Sequence, residues 1–308
     1  MFALTRNVVM VRPASFGYNP ETAENNNFQT SPGDRSTEDI TSRAVREFDQ
    51  MVAALRKAGV RVHVIEDDPT VKRTDAVFPN NWITLHPNGA VVTYPMFSPI
   101  RRQERREEII EELAESFVVD QRIRLENLEA RNQFLEGTGS LILDRQYNVA
   151  YACRSPRTHP DAVRRFDELT GFRTYLFDAA DTDGVPIYHT NVLMALADRY
   201  VIICMNAITQ PREQRELQKR FAATRKVIIP ITHEQMNNFA GNALQVLGHD
   251  NQPVLIMSSR AYDSLRPDQI ERLESFNPIV HVPIPTIETY GGGSARCMIA
   301  ENFLPERS

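Results

Sequence analysis

The sequence lacks several features that mark common classes of protein. Its 308 residues include only three cysteines, Cys153, Cys204 and Cys297, and no two of them lie close together in the chain. An odd count without close pairs argues against a disulfide framework or a zinc knuckle, and it favours a reducing cytoplasm. No hydrophobic run approaches the length of a membrane span, and the N-terminus has no secretory apolar core. We therefore expect a cytoplasmic protein without a membrane partner.

Positive charge is not in excess either. The chain carries 35 Lys and Arg against 40 Asp and Glu, which gives a net charge of -5. Because the two signs are interspersed, no broad basic face for nucleic acid is expected. The basic run at positions 101–106 is followed at once by glutamates, and this pattern predicts a solvated helix face. With 42% hydrophobic residues, the composition fits a protein with one large core or two modest ones. We expect a single domain over residues 1–308, and a homodimer is left open.

The chain repeats one plan: strand, polar turn, strand, helix, strand. Four copies begin near Trp82, Ser140, Val192 and Ala243. The N-terminal region supplies a strand, a helix and a strand but no hairpin partner, which a strand over residues 297–300 could provide. A period near 50 residues is typical of an array or propeller. We predict an α/β fold, a five-bladed propeller of ββαβ modules closed by the C-terminal strand. The alternative is an open α+β sheet in which the alternation is coincidental.

Polar or reactive residues stand directly before the first strand of each copy. These positions are Asn81, Ser140 preceded by Glu136, Asn191 preceded by His189, Asn242 and Cys297. If the copies are related by rotation about one axis, these positions converge on it. A thiol, an imidazole and a carboxylate would then meet, which is a constellation for nucleophilic catalysis. An isolated cysteine is more often an inert buried residue, so the equivalence of position is what favours a nucleophile.

Three motifs around these residues resemble those of the guanidino-group-modifying superfamily. This is the arginine deiminase and amidinotransferase group, whose fold is the five-bladed pentein propeller. Glu136-Gly-Thr-Gly resembles that group's Glu-Gly-Gly-Asp motif, and His189-Thr-Asn191 resembles its His-x-Asp motif. The segment Gly293-Ser-Ala-Arg-Cys297 resembles its terminal glycine-rich cysteine loop. The resemblance covers nearly the whole chain.

Two further sequence elements indicate which members of this superfamily the chain resembles. The stretch from Asp75 to Asn81 is similar to one in dimethylarginine dimethylaminohydrolases, and Ser155-Pro-Arg157-Thr resembles an element whose Arg grips a substrate α-carboxylate. The block between positions 11 and 29 looks most like the citrulline-utilisation hydrolase branch. The polar segment at 17–36 has the composition of a lid.

The resemblance implies a role for each matching residue. Cys297 would attack the substrate, His189 would act as general acid and base, and Glu136 would bind the substrate nitrogens. Arg157 would pair with the α-carboxylate of an amino-acid substrate. The remaining substrate-binding residues would be Asp75, Asn80, Asn81 and Asn191. No metal and no organic cofactor is expected.

The departures from the family pattern bear on the substrate. Asn80, Asn81 and Asn191 stand where the family carries acidic residues. A cationic guanidinium is held best by carboxylates, whereas a neutral ureido group carries an acceptor and donors that an amide can match. We therefore expect hydrolysis of citrulline to ornithine, ammonia and carbon dioxide. The alternatives are a deiminase or dihydrolase acting on arginine, dimethylarginine or an N-acylarginine, and a non-catalytic propeller that binds another molecule.

Overall fold

The computed structural model describes residues 4–24, 26, 28–31, 33 and 36–307. The strands in chain order are β1 Asn7–Arg12, β2 Arg61–Glu66, β3 Ile83–Leu85, β4 Ala90–Thr93, β5 Gln121–Arg124, β6 Ile142–Asp144, β7 Val149–Cys153, β8 Arg173–Phe177, β9 Met194–Leu196, β10 Tyr200–Ile203, β11 Val227–Pro230, β12 Leu244–Leu247, β13 Pro253–Ser258, β14 Ile279–Val282 and β15 Ala300–Asn302. The α-helices are α1 Pro20–Ala23, α2 Thr37–Lys57, α3 Glu107–Ser116, α4 Gly137–Ser140, α5 Pro160–Thr170, α6 Thr190–Leu193, α7 Pro211–Ala223, α8 His233–Asn237, α9 Ser259–Asp263, α10 Pro267–Glu274 and α11 Pro285–Gly291.

The strands form triplets with one recurring pattern. In β6-β7-β8, β9-β10-β11 and β12-β13-β14 the first pair is antiparallel and the second pair is parallel. The triplets β15-β1-β2 and β3-β4-β5 follow the same rule. They are joined into one six-stranded sheet because β15 also pairs with β3. The described chain therefore has four sheets, and the predicted mixed α/β class is confirmed.

Apolar periodicity explains the longest helix. In α2 the buried side chains recur at helical spacing, and they are Ile40, Ala44, Phe48, Met51, Val52 and Leu55. Ser36 caps the helix by accepting a hydrogen bond from the backbone N–H of Asp39, which satisfies one of the free donors of the first turn. The apolar face packs against β2, β14 and α11, so the helix covers the two sheets to which β2 and β14 belong.

Several predicted strands begin later in the chain than expected. The strands expected to begin at Trp82, Ser140 and Val192 begin instead at Ile83, Ile142 and Met194. The strand expected over residues 297–300 is β15, Ala300–Asn302, and Cys297 lies in the turn before it. Short apolar runs do not distinguish a strand from the helical turn that leads into it.

The basic run at positions 101–106 also differs from its prediction. It forms a 3-10 helix, Ile100–Glu104, that ends before α3 begins at Glu107. Arg101 and Glu104 are each only 3% exposed. The run is therefore not a solvated helix face, because these two side chains turn inward.

The structure gives two further findings about the chain as a whole. Cys153, Cys204 and Cys297 are all free and buried. Within the described ranges, no helix combines the length and the apolar character needed to cross a membrane.

Candidate active site

A turn lies before the first strand of each triplet, and the candidate residues sit in these turns. Asn81 ends the 3-10 helix Pro79–Asn81 before β3, while Glu136 and His189 occupy the N-cap positions of α4 and α6. Asn242 and Cys297 each donate a backbone hydrogen bond three residues back, to Phe239 and Ser294. These short turns, rather than the strands, aim the side chains.

Hydrogen bonds connect the turns one after another. Thr138 Oγ1 donates to the carbonyl of Asn80 at 3.3 Å, and Thr190 Oγ1 donates to that of Ser140 at 2.6 Å. Further along, Asn242 Nδ2 donates to the carbonyl of Asn191 at 3.0 Å. Such buried backbone acceptors need partners, so these contacts hold the turns in a fixed arrangement. The convergence expected from the repeat is present for these residues.

Two amides face the sulfur of Cys297. Nδ2 of Asn191 lies 3.4 Å from Sγ, and Nδ2 of Asn242 lies 3.3 Å from it. The orientation of Asn242 is fixed because its Oδ1 accepts the backbone N–H of Arg296 at 3.0 Å. N–H donors on both sides suit a negatively charged sulfur. Cys297 is 5% exposed, so these contacts are shielded from water.

Glu136 and His189 form a buried pair. His189 Nε2 lies 2.8 Å from Oε2 of Glu136, and Glu136 is fully buried. Burial alone would raise the pKa of Glu136, but Arg157, His189 and Arg101 together hold it well below its usual range. Burial lowers the pKa of His189 to about 4, although Glu136 acts in the opposite direction. The pair is therefore a carboxylate beside a neutral imidazole at neutral pH.

Two buried guanidinium groups lie beside this pair. Arg157 Nη1 lies 3.4 Å from Oε2 of Glu136, and Arg101 Nη1 lies 3.9 Å from the same oxygen. Arg101 also forms two hydrogen bonds with Glu104, at 2.8 and 2.9 Å, and its Nε lies 3.9 Å from Oδ2 of Asp75. Arg157 packs over the ring of Tyr188, at 4.9 Å from the centroid. Opposite charges thus alternate across the site.

Asn81 is oriented by Arg101. Its Oδ1 accepts a hydrogen bond from Arg101 Nη1 at 2.9 Å. Because a guanidinium only donates, the amide nitrogen of Asn81 must point the other way. A Cβ on Gly139 would come within 2.5 Å of this nitrogen and 2.8 Å of the His189 ring, so Gly139 is needed to let them lie together. Nδ2 of Asn81 is buried and has no hydrogen-bond partner within the described part of the chain.

A small enclosed cavity connects these groups. Its lining includes the predicted residues Asp75, Asn81, Arg157, His189 and Cys297, together with Thr22, Asn26, Gln29, Phe78, Arg101, Tyr188 and Gly291 to Gly293. Its volume is about 10 Å³, which is room for about one water molecule. An amino acid cannot enter this cavity unless part of the wall moves.

The N-terminal segment forms one wall of the cavity. Gln29 Nε2 donates to the carbonyl of Gly291 at 3.0 Å, and the carbonyl of Thr22 accepts from Arg157 Nη2 at 3.0 Å. Asn19 Nδ2 donates to Asp75 Oδ2 at 2.6 Å. The lid predicted over residues 17–36 includes positions 25, 27, 32, 34 and 35, which lie outside the described residues. The lid remains a prediction, and these contacts are where it would open.

The predicted site residues differ in whether they line the cavity. Asp75, Asn81, Arg157, His189 and Cys297 line the cavity, Glu136 contacts His189, and Asn191 contacts Cys297. Asn80 and Asn191 are both buried, and neither lines the cavity. Neither polar atom of the Asn80 side chain has a hydrogen-bond partner in the described chain.

Sequence reasoning left Arg101 out of the site altogether, and it named Asn242 only as a repeat anchor. For Asn242, its position in the repeat was a sufficient signal. No comparable signal marked Arg101, because the charged residues beside it in the sequence made the whole run resemble a solvent-exposed surface.

Two other observations concern the choice of site. A larger groove of about 770 Å³ lies between α8, α9 and α11, but neither cysteine nor histidine is among the described residues that line it. We therefore place the candidate site at the smaller cavity. In the described part of the chain, no group of three or more His, Cys, Asp or Glu side chains is arranged to hold a metal ion.

A family match supports the guanidino-modifying, pentein-type superfamily, and the mixed α/β fold of the chain agrees with it. A family model described as N,N-dimethylarginine dimethylhydrolase, eukaryotic, matches residues 12–304. The chain belongs to this family. No curated protein matches it significantly.

Solved structures with the same fold are distant in sequence. ArgZ, an arginine dihydrolase from the ornithine–ammonia cycle in cyanobacteria, has a TM-score of 0.75 at 17% identity, over 97% of this chain and 41% of that one. Unliganded AgrE gives 0.74 at 18%, over 98% and 40%. A dimethylarginine dimethylaminohydrolase adduct with S-methyl-L-thiocitrulline gives 0.66 at 16%, over 97% and 99%. The chain thus spans about two fifths of ArgZ and AgrE, and at these identities the likeness shows the fold alone.

Proposed function

We propose that the protein hydrolyses the ureido group of citrulline, giving ornithine, ammonia and carbon dioxide, through a covalent intermediate on Cys297. The family and the group of Cys297, His189 and Glu136 support a hydrolase acting on an arginine-related amino acid. A non-catalytic binding protein would have no need to keep these three groups together. The choice of a ureido substrate rests on the asparagines.

The observation that carries this choice is the direction in which two amides point. Asn81 has its oxygen occupied by Arg101 and keeps a buried N–H without a partner in the described chain. Asn191 has its N–H on Cys297 and keeps a buried oxygen without such a partner. A ureido group carries one carbonyl acceptor and N–H donors, whereas a guanidinium carries donors only. The free donor belongs to Asn81 in the cavity lining and the free acceptor to Asn191, which contacts Cys297, and this combination supports a ureido group.

The reaction is proposed from the positions of Cys297 and His189 in the lining of the same cavity. Neutral His189 takes the proton of the thiol, and Glu136 stabilises the imidazolium that forms, as a carboxylate does for a catalytic histidine. The sulfur attacks the ureido carbon, one C–N bond breaks, and the imidazolium protonates the leaving nitrogen. His189 next activates a water that cleaves the S-carbamoyl bond. The released carbamate loses carbon dioxide and leaves the second amine.

The charged groups suit the other end of an amino acid. Arg101 and Arg157 offer guanidinium donors to an α-carboxylate, and Asp75 offers a carboxylate to an α-ammonium group. All three line the same cavity as Cys297. For the substrate to enter, the hydrogen bonds from Arg157 to Thr22 and from Gln29 to Gly291 would have to break. We regard the segment that carries them as the lid.

The proposal also includes the arrangement of the strand triplets in the fold. The five triplets, with one shared pairing pattern and β15 completing the N-terminal one, support a five-bladed propeller closed by the C-terminal strand. A single domain over residues 1–308, a cytoplasmic location and a site that needs no cofactor are proposed with it. A homodimer stays open.

The lowered pKa of His189 predicts an unusual acid limb for kcat/KM. His189 must be neutral to accept the thiol proton, and with a pKa of about 4 it stays neutral until the pH falls close to that value. We therefore expect kcat/KM for citrulline to fall on the acid side near pH 4 rather than near pH 6.5. Steady-state rates between pH 3.5 and 8, with circular dichroism at each pH to detect unfolding, measure this. A limb near pH 6.5 in folded protein would contradict it.

Replacing Asn81 by aspartate tests the recognition of the ureido group. The variant loses the free N–H and gains a carboxylate that favours a cation, so the ratio of kcat/KM for citrulline over arginine should fall by about tenfold or more. Asn80→Asp is the matched control, since Asn80 is buried outside the cavity and should leave the ratio unchanged. Thermal melts confirm that both variants fold. An unchanged ratio in Asn81→Asp would remove Asn81 from substrate recognition.

Arginine or dimethylarginine is the second candidate substrate, and one observation favours it. The site keeps two carboxylates, Asp75 in the cavity lining and Glu136 directly behind it. Carboxylates bind a guanidinium through charge-assisted pairs. The family description and the names of ArgZ and the dimethylarginine dimethylaminohydrolase point the same way. A panel of these substrates separates the two candidates.

A further inference from the structure

A second polar cavity, separate from the one at Cys297, lies among β6, β9, β12 and β15. Its volume is about 40 Å³, and the two linings share no residue. Its charged lining residues are Asp144, Arg145, Asp198, Lys226, Arg296 and Glu301. Asp198 is exposed, whereas the three basic residues and Asp144 are buried and Glu301 is partly buried. Inside the cavity, three positive charges therefore face two negative ones.

Two of the three cations have an acidic partner. Lys226 Nζ lies 3.3 Å from Oδ2 of Asp144 and also donates to two backbone carbonyls. Arg296 Nη2 donates to Oε2 of Glu301 at 2.9 Å. These contacts use both carboxylates. Arg145 is left, and within the described residues no carboxylate comes within ion-pair distance of it.

Arg145 is a buried cation with no carboxylate of the described chain in contact, since Glu301, which acts on it from a greater distance, is paired with Arg296. It is 4% exposed, its Nη1 lies 3.3 Å from Nδ1 of His86, and its guanidinium stacks on Phe303 at 4.1 Å. Burial lowers the pKa of His86 well below its usual range, so this ring is neutral and brings no negative charge to Arg145. Nε of Arg145 is buried and has no hydrogen-bond partner in the described chain. Burial of an uncompensated charge is strongly unfavourable.

We propose that a small monovalent anion the size of chloride binds beside Arg145 in this cavity. The anion adds negative charge to a cavity in which three buried cations face two carboxylates. The cavity volume of about 40 Å³ admits such an ion with a few waters and excludes an amino acid. This site is independent of the proposed reaction.

The anion site borders the turn that carries Cys297. Arg296 lines the cavity, and its backbone N–H donates to Oδ1 of Asn242, whose Nδ2 faces the sulfur. An anion that satisfies Arg145 thus stabilises strands whose preceding turns hold the candidate catalytic residues. Binding of the anion should therefore raise the thermal stability of the whole chain.

Bromide diffraction tests the site on the unmodified protein. Crystals of the full chain grown without halide are soaked in sodium bromide, and anomalous scattering locates the ion. We expect one peak in contact with the Arg145 guanidinium. A structure with no peak there, or with the Glu301 carboxylate moved onto Arg145 in its place, would overturn the proposal.

Thermal unfolding gives a second, independent readout. Sodium chloride should raise the Tm of the wild-type protein by roughly 3 °C over sodium gluconate at equal ionic strength, because gluconate is too large for the cavity. Arg145→Met should lose this difference, while Arg131→Met, which removes an exposed arginine, should keep it. If Arg145→Met does not fold, the wild-type comparison and the bromide peak still decide the matter. Equal Tm values in the two salts would count against the anion.

Discussion

Cys297→Ala is expected to lower kcat for citrulline by about 10⁴-fold or more while leaving the fold intact. Without the sulfur no covalent intermediate can form, and the remaining groups contribute only binding and polarisation. The loss of stability should be small because the side chain removed is short. The test is single-turnover release of ornithine together with a thermal melt of the same sample.

The two other cysteines provide matched controls for this variant. Cys153 and Cys204 are free and buried like Cys297, but neither lines the cavity. Burial raises the pKa of Cys153 to about 12, which makes it a poor nucleophile. Alanine at either position should leave kcat within a few-fold of the wild type. A Cys297→Ala protein that keeps near-normal turnover would end the covalent mechanism.

A haloacetamidine reagent separates the enzyme from a binding protein. Such a reagent should label Cys297 rapidly and stoichiometrically at neutral pH, because the sulfur lies between two amide donors. Citrulline should protect against labelling by filling the cavity. Peptide mapping identifies the modified residue. A protein that is not labelled at neutral pH would favour the non-catalytic alternative.

Glu136→Gln is expected to reduce kcat by about 10³-fold, since the developing imidazolium of His189 then has no carboxylate beside it. Stability should also fall, by about 3 kcal/mol, because Arg157 and Arg101 lose a buried partner at 3.4 and 3.9 Å. Steady-state rates and denaturant unfolding measure the two effects separately.

Glu129→Gln is the control for loss of an ion-paired carboxylate. Glu129 pairs with Arg102 and Arg105 on the outer side of the same region and does not line the cavity. This variant should lose some stability and keep its kcat. If Glu136→Gln and Glu129→Gln changed kcat equally, the effect of Glu136 would be structural and not electrostatic.

Much of the fold could be predicted from the sequence because the repeat is regular. The helix α5, Pro160–Thr170, begins at a proline and ends before a glycine, the two residues that favour these positions in a sequence. The similar spacing of the turns also indicated that Glu136, His189 and Cys297 would meet. Spacing along the chain becomes proximity only because each triplet repeats the same pairing pattern.

The rest depended on contacts that no local pattern reveals. Arg101 looked like one member of a solvated charged run, yet it is buried because Glu104, Asp75 and Asn81 surround its guanidinium. Asn80 and Asn81 are adjacent and identical, but only Asn81 lines the cavity. Both side chains are buried, and the 3-10 turn that holds them decides which one faces the cavity, a direction that composition does not encode.

The most direct test of the central claim is a substrate comparison on the unmodified protein. Ornithine, citrulline and ammonia are measured after incubation with citrulline, arginine and dimethylarginine at equal concentrations. We predict that ornithine is released from citrulline faster than any product forms from arginine or dimethylarginine, because the free N–H of Asn81 and the free oxygen of Asn191 match a neutral ureido group. Faster turnover of arginine or dimethylarginine than of citrulline would contradict the account.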